Sequence, residues 1–313
     1  MPAASNVLFR RMRSEPKRRR ALWLVGAVAA TAVLAGRAAR ADDPATALNS
    51  GQPTDAAPAD SGGGDASQDV TELAKKLQNP IGNLISVPFQ SNTNFTVGPN
   101  KGTQEILNIQ PVIPFHITPD WNIITRAILP LVWNPSYQPA ASVVPFGTAP
   151  IVASAFLSPA KPVNGWVWGV GPVTQIPTAS NASLGSNVWG LGPTAVLVKL
   201  AGPWVSGVLV NNIWSLGGTS QFGGTKYNSF LMQPFVNFNM KGGWYVGTSP
   251  ILTANWLTTG NNAWTIPLGA NVGRVIKVGG KLPINLSLGG YANVVHPELG
   301  ATWQLRTQIT AIF

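Results

Sequence analysis

The last eleven residues, Trp303-Gln-Leu-Arg-Thr-Gln-Ile-Thr-Ala-Ile-Phe313, constrain the fold more than any other stretch. Trp303, Leu305, Thr307, Ile309, Ala311 and Phe313 share one parity, and Gln304, Arg306, Gln308, Thr310 and Ile312 share the other. A period of two is that of a β-strand with one apolar and one polar side. The stretch closes on the aromatic of the apolar side. This is the pattern of the closing strand of a transmembrane β-barrel. An edge strand of a secreted sandwich is the competing reading, and the remaining sequence decides between them.

The composition favours the barrel. With 33 Gly, 12 Trp and only 10% charged residues, the chain lacks the polar groups that a water-facing surface carries. Yet after the first forty positions no run of eighteen apolar residues occurs, which excludes helical spans. Apolar content without apolar runs is what alternating membrane strands produce. The chain has no Cys and only His116 and His296, so disulfides, thiol chemistry and Cys/His metal sites are excluded or disfavoured, and no cofactor is expected. The formal charge of +10 carries no nucleic-acid signal. Residues 1–41 hold nine Lys/Arg against one Glu, leaving a balance of only +2 for everything after them.

That basic region reads as an export signal. Arg10, Arg11, Arg13, Lys17, Arg18, Arg19 and Arg20 precede the apolar stretch Ala21 to Gly36, and Ala39-Arg40-Ala41 forms a cleavage motif. Residues 1–41 are therefore a signal peptide, cleaved on export, and 42–70, rich in Asp, Ala, Pro, Gly and Ser, are a disordered periplasmic leader. Residues 71–79 open on a capping pattern with Leu73 and Leu77 four apart, which predicts one short amphipathic helix. Residues 80–313 form the barrel.

Twelve strand-like segments follow, at 84–97, 104–115, 121–133, 149–157, 164–177, 187–199, 203–216, 228–240, 243–257, 263–275, 282–293 and 302–313. Short connections at 116–120, 158–163, 200–202, 241–242 and 276–281 are predicted inner turns. The longer 134–148, 178–186 and 216–227 are predicted outer loops, as outer-membrane barrels require. Trp121 and Trp133 lie twelve apart on one parity, as do Trp244 and Trp256. At about 3.4 Å per residue and a tilt of about 40°, that spacing spans roughly 31 Å along the membrane normal. Both pairs are thus assigned to aromatic belts at the two membrane interfaces.

If the tryptophan face meets lipid, the other parity lines the lumen and any solute path. This selects Asn108, Gln110, Arg126, Gln233, Asn237, Asn239, Asn255, Asn271, Asn285, Ser287, Gln304, Arg306 and Gln308. Segments 149–157, 187–199 and 203–216 are apolar on both parities and leave the register open. Arg126 and Arg306 have no acidic partner that spacing identifies, which implies a weak preference for anions or an affinity for polar and aromatic solutes. The alternative is that both arginines brace a barrel packed shut by side chains.

Two tempting signals carry little. Gly190-Leu-Gly-Pro-Thr-Ala195 fits a dinucleotide pattern, but it runs into strand-forming residues rather than a helix. It echoes Trp168-Gly-Val-Gly-Pro172 as Trp189-Gly-Leu-Gly-Pro193, one hairpin away, where glycine allows bending or close approach. A barrel enzyme would need a nucleophile and a base, and neither His116 nor His296 has a neighbour suggesting a triad, so no catalytic residue is assigned.

The stretches Leu73-Ala-Lys-Lys-Leu-Gln-Asn-Pro80, Leu107-Asn-Ile-Gln-Pro-Val-Ile-Pro114, Gly165-Trp-Val-Trp-Gly-Val-Gly-Pro172 and Gln233-Pro-Phe235 resemble a bacterial outer-membrane transporter family often mislabelled neuromedin U. That family is similar to the MetA-pathway phenol-degradation barrel proteins. The resemblance covers about residues 72–313 and implies a barrel with a transport role, without carrying any binding residue across. The expectation is an all-β, transmembrane antiparallel β-barrel of about twelve strands in the outer membrane of a Gram-negative bacterium. It would act as a channel or transporter for small solutes, aromatic or anionic ones included. A side-chain-filled structural or surface-interaction barrel is the alternative, and a barrel enzyme a more distant one. The expected partners are outer-membrane lipid and lipopolysaccharide, with the barrel-assembly machinery recognising the strand that ends in Phe313.

Overall fold

In the computed structural model the structure describes residues 62–135, 143–217, 225–280 and 282–313. Residues 1–61, read above as signal peptide and most of the leader, lie outside the described residues. The strands are β1 (Ser86–Val97), β2 (Gly102–Ile109 and Val112–His116), β3 (Trp121–Trp133) and β4 (Phe146–Thr148 and Ile151–Pro159). There follow β5 (Trp166–Ile176), β6 (Gly190–Ala201), β7 (Trp204–Ser215) and β8 (Asn228–Asn239). The series ends with β9 (Trp244–Thr248 and Leu252–Asn255), β10 (Trp264–Val278), β11 (Leu282–Val295) and β12 (Trp303–Ile312). Each pairs antiparallel with its sequence neighbours, and β12 pairs with β1 from Ser86↔Ile312 to Phe95↔Trp303. The twelve strands thus form one closed barrel, whose backbone groups find partners around the hoop.

Three strands are interrupted by proline, for different reasons. In β2, Pro111 lacks an N–H but still accepts from Ala127 N at 3.1 Å, and the register to β3 is the same on both sides. In β4, Pro150 follows a bulge that adds one residue against β3. Parity flips there, so Gly147 and then Val152 face inward. In β9, Pro250 breaks the strand assignment while the register to β8 continues unchanged.

The outward face is apolar and aromatic. All eleven tryptophans among the described residues stand on this face or immediately beside it. Trp121, Trp166, Trp204 and Trp244 mark the rim that carries the C-terminus. Trp133, Trp214, Trp256, Trp264 and Trp303 mark the opposite rim, many in ring contacts such as Trp133–Phe146, Trp256–Trp264 and Phe95–Trp303. The outward carboxylate of the strands, Glu105, is level with Trp133 and accepts hydrogen bonds from Ser91 Oγ and from Thr93 Oγ1 at 2.6 Å. Those bonds offset the cost of a charge beside apolar surface.

Two features differ from the sequence reading. The helix, α1 (Gly62–Leu77), begins nine residues before the predicted 71–79, inside the stretch read as disordered leader. Val70 and Leu73 pack with Ala74 and Leu77 against Tyr245 and Val275 of β9 and β10, so the barrel supplies the apolar partner that the composition of the leader lacks. The connections also shift by a few residues. The inner ones are 117–120, 160–165, 202–203, 240–243 and 279–281; the outer ones, 98–101, 134–145, 177–189, 216–227, 256–263 and 296–302, are generally longer.

The glycine echo has a steric cause. By register Gly169 and Gly171 on β5, and Gly190 and Gly192 on β6, face inward. A Cβ on Gly171 would fall 1.8 Å from Ala155 O, and one on Gly192 would fall 1.6 Å from Asn212 O, so the wall closes there only without side chains. Gly171→Val and Gly192→Val are expected to cost about 1–3 kcal/mol or more and to abolish the heat-modifiable gel migration of the folded barrel. Gly290→Ala, which meets nothing within 4 Å, should leave that migration unchanged.

Candidate functional site

The inside of the barrel is divided lengthwise. Inward positions of β2 to β8 supply Val112, Ile124, Phe156, Val167, Val196, Val198, Val205, Leu209 and Phe235, which form one buried apolar cluster. This explains why segments 149–157, 187–199 and 203–216 are apolar on both parities: one face meets lipid and the other meets this inner core. Inward positions of β1 and β9 to β12, with adjacent positions of β2, β3 and β8, carry amides, tyrosines and the arginines, Arg126 on β3 and Arg306 on β12.

The polar half is a connected hydrogen-bond network. Arg306 donates from Nε to Asn92 Oδ1 at 3.2 Å, from Nη1 to Ser249 O at 2.8 Å and from Nη2 to Gln304 Oε1 at 3.1 Å. Its guanidinium also stacks 4.6 Å from the Tyr291 ring centroid. From Gln304 a series of amides, each accepting through oxygen and donating through nitrogen, runs to Asn94 (2.8 Å), Gln104 (3.3 Å) and Asn134 (2.8 Å), and ends on Val144 O (3.1 Å). Aligned dipoles of this kind strengthen one another in a low dielectric. Arg126 is held differently: among the described residues its one side-chain hydrogen bond runs from Nη2 to Gln110 Oε1 at 2.5 Å. Neither arginine has a carboxylate partner among the described residues, where the two ion pairs are Lys75–Glu72 and Lys277–Asp69.

Both ends of the lumen are narrowed by chain segments. At the terminal rim, α1 docks on one side only. Gln78 and Asn239 exchange reciprocal amide hydrogen bonds of 2.8 and 3.0 Å, and Thr71 Oγ1 donates to Met240 O at 3.3 Å. Residues 78–84 then cross the lumen as a strap. Ile81, 2% exposed, enters the apolar cluster on the far wall, where a Cβ on Gly169 would come 3.1 Å from Ile81 Cδ1. Asn83 Nδ2 donates to His116 Nε2 at 3.1 Å beyond it. At the other rim, the 177–189 connection folds inward, and Ser180 Oγ and Leu184 Cδ1 occupy the space that a side chain on Gly147 would fill. Tyr227 Oη donates to Val188 O at 2.9 Å and secures the same connection.

Between these closures lies a cavity of about 180 Å³. Of the residues selected by parity, Gln110, Arg126, Gln233, Asn237, Asn271, Asn285, Ser287, Arg306 and Gln308 line it. Four do not. Asn108 faces inward in register with Gln90 but lies off the cavity, and Gln304 is absorbed in the amide series. Asn239 is held by Gln78. Asn255 sits at the outer rim, where its Oδ1 accepts from Leu257 N at 3.1 Å and shapes a turn. The belt residues Trp121, Trp133, Trp244 and Trp256 are all on the outward face, 37 to 47% exposed.

The sequence reading did not name Gln90, Asn92, Asn94, Gln104, Tyr245, Ser249 and Tyr291, which also belong to the interior. Gln104 shares the parity of Asn108 and was legible. Gln90-Ser-Asn-Thr-Asn94 is polar on both faces, so alternation alone assigns no inner side there. Tyr245 shares the parity of Asn255 and Tyr291 that of Asn285, so both were legible as inward; they are 5% and 3% exposed, and Tyr245 Oη donates to Asn285 Oδ1 at 3.0 Å. His116 and His296 stand at opposite rims, and their hydrogen-bond partners are Asn83 and the Pro297 carbonyl rather than a serine hydroxyl.

No protein-family model matches the chain, and no curated protein matches it. Among solved structures, it is similar to an outer membrane channel from Pseudomonas putida F1, with 17% identity and a TM-score of 0.54, covering 74% of this chain and 94% of that one. Outer membrane phospholipase A from Escherichia coli (13% identity, TM-score 0.39, covering 72% and 95%) is a more distant likeness. The Salmonella typhi phospholipase dimer with bound calcium (14%, 0.39, 79% and 98%) is another. At these identities the likeness is one of fold, and the fold is that of an outer-membrane β-barrel.

The unequal anchoring of the two arginines has a measurable consequence. Arg306→Met strips partners from Asn92, Gln304 and the Ser249 carbonyl together, at about 1–3 kcal/mol for each orphaned group. It is expected to lower the temperature of the heat-modifiable transition clearly, whereas Arg126→Met, which releases one hydrogen bond, should lower it little.

Proposed function

We propose that this chain is a narrow outer-membrane channel for small solutes, biased toward anions and closed by its own N-terminal strap. The observation that carries the reading is the cavity: a lined space inside a closed barrel, with a guanidinium held by one hydrogen bond and no neutralising carboxylate among the described residues. A barrel serving only as a scaffold has no use for such a group, because burying an unpaired charge is costly. The likeness in fold to the outer membrane channel from Pseudomonas putida F1 supports the same reading. So does the resemblance to transporter barrels associated with phenol degradation, which adds aromatic compounds to the candidate solutes.

The strap is a closure whose energy suits a gate. Burial of Ile81 contributes about 1.5–3 kcal/mol, and the Gln78–Asn239 pair about 0.5–1.5 kcal/mol per hydrogen bond. The total is comparable with the roughly 5.5 kcal/mol that moves a two-state equilibrium from almost shut to almost open. Release of Ile81 requires no strand pair to break. The tied Arg306 favours a second reading, a barrel braced shut by its polar network.

Planar-bilayer recording in a salt gradient separates the two. Wild-type protein should give rare, small steps with an anion-biased reversal potential. Ile81→Ala, losing about 2–5 kcal/mol of packing, should raise the open fraction strongly. Arg126→Glu should weaken or reverse the anion bias. Silence from folded Ile81→Ala protein would establish the braced barrel instead.

A further inference from the structure

We propose that the cavity is a binding site for a small amphipathic monoanion, a carboxylate carried on one compact apolar ring. The proposal rests on the channel reading in one respect: it takes the cavity as a stopping point on the solute path.

Charge sets the head group. Arg126 and Arg306 line the same cavity, and no Asp or Glu lines it. Arg306 has committed donors to Asn92, Ser249 and Gln304, whereas Arg126 has committed one nitrogen to Gln110. Lys76, exposed on α1, is a third cation on the cavity wall, and of the two arginines Arg126 is the one whose fork is left for an incoming anion; a planar two-oxygen carboxylate matches that fork edge to edge. Gln110, Gln233 and Gln308 line the same cavity and add no competing negative charge; the Nε2 groups of Gln233 and Gln308 also donate to Ser249 Oγ and Thr310 Oγ1.

The walls set the body. The cavity lies along the seam between the two halves of the lumen, so Phe235, Val112 and Leu77 line it together with the polar groups. Phe235 and Val112 belong to the apolar cluster, and Leu77 comes from α1. A fully hydrated dianion such as phosphate would satisfy the arginines but leave this apolar wall in contact with water. Tyr245 and Tyr291 add two aromatic rings, which favour a flat partner.

Volume sets the size. A space of about 180 Å³ corresponds to roughly six water molecules. It is below the 300–1,000 Å³ of pockets that hold drug-sized ligands. One ring bearing one carboxylate matches this size better than a two-ring compound or a sugar chain.

Isothermal titration of the full barrel in detergent reads the site without requiring conduction. The probes are benzoate, benzyl alcohol (the same ring without charge), acetate (the charge without the ring) and inorganic phosphate. Benzoate is expected to bind about ten-fold tighter than each of the other three. Arg126→Gln should lower benzoate affinity about ten-fold and leave benzyl alcohol unchanged, which also calibrates partition into the micelle. Phe235→Leu should weaken benzoate and leave acetate unchanged, and heat-modifiable migration verifies that each variant is folded. Equal affinity for benzoate and acetate, tighter phosphate, or an unaffected Arg126→Gln would overturn the proposal. Bilayer recordings on the same material keep the two readings apart. Conduction without benzoate binding sinks this inference and leaves the channel, while binding without conduction does the reverse.

Discussion

Everything in this molecule depends on the pairing of its first strand with its last. In hydrocarbon an unpaired N–H or C=O has no water to turn to, so a spanning sheet must have no edge. The ladder from Ser86↔Ile312 to Phe95↔Trp303 removes both edges at once. Closure also gives alternation its consequences. Once the hoop is shut, each residue of a strand faces either lipid or lumen, and a shift of one would exchange the two sets completely. The Pro150 bulge is the place where the chain uses that sensitivity, moving the inward set from odd to even numbers within β4.

The division of the lumen follows from how such a cylinder can be filled. Twelve strands enclose more space than inward side chains of average size occupy, and the chain solves this differently on its two sides. On the β2–β8 side, branched and aromatic residues pack as in a soluble core, with Gly169 thinning the wall so that Ile81 can enter. On the other side, amides bind one another in a continuous series, which meets the requirement that buried polar groups be partnered. The cavity lies where these two ways of filling space meet, because neither chemistry extends across the boundary.

Much of the fold was legible because membrane strands obey a strict rule. The twelve segments, their antiparallel order and the outward tryptophans all follow from period-two alternation, and the strand boundaries differ from the observed ones by a few residues. Within the site, Arg126, Gln233, Asn271, Asn285 and Arg306 were legible for the same reason. The failures share a cause: alternation says which face a residue is on but nothing about what lies opposite. It set Tyr245 opposite Trp244 but could not tell that the Tyr245 hydroxyl reaches Asn285, two strands away. It gave no inner side to β4, β6 and β7, where lipid and inner core demand the same residue types. Nor could it place α1, whose apolar stripe has meaning only beside Tyr245 and Val275.

The one-sided docking of α1 bears on the order in which the molecule assembles. Gln78 and Asn239 are separated by 161 positions in the chain, and Ile81 joins a cluster contributed by strands from β2 to β8. Contacts between such distant segments come late, because the chain entropy lost in forming them is recovered only after the intervening structure exists. The seat of Ile81 is contributed by strands β2 to β8, so it exists only once those strands have paired. Docking of the strap is then a step after closure of the wall, and one whose reversal needs no strand to unpair.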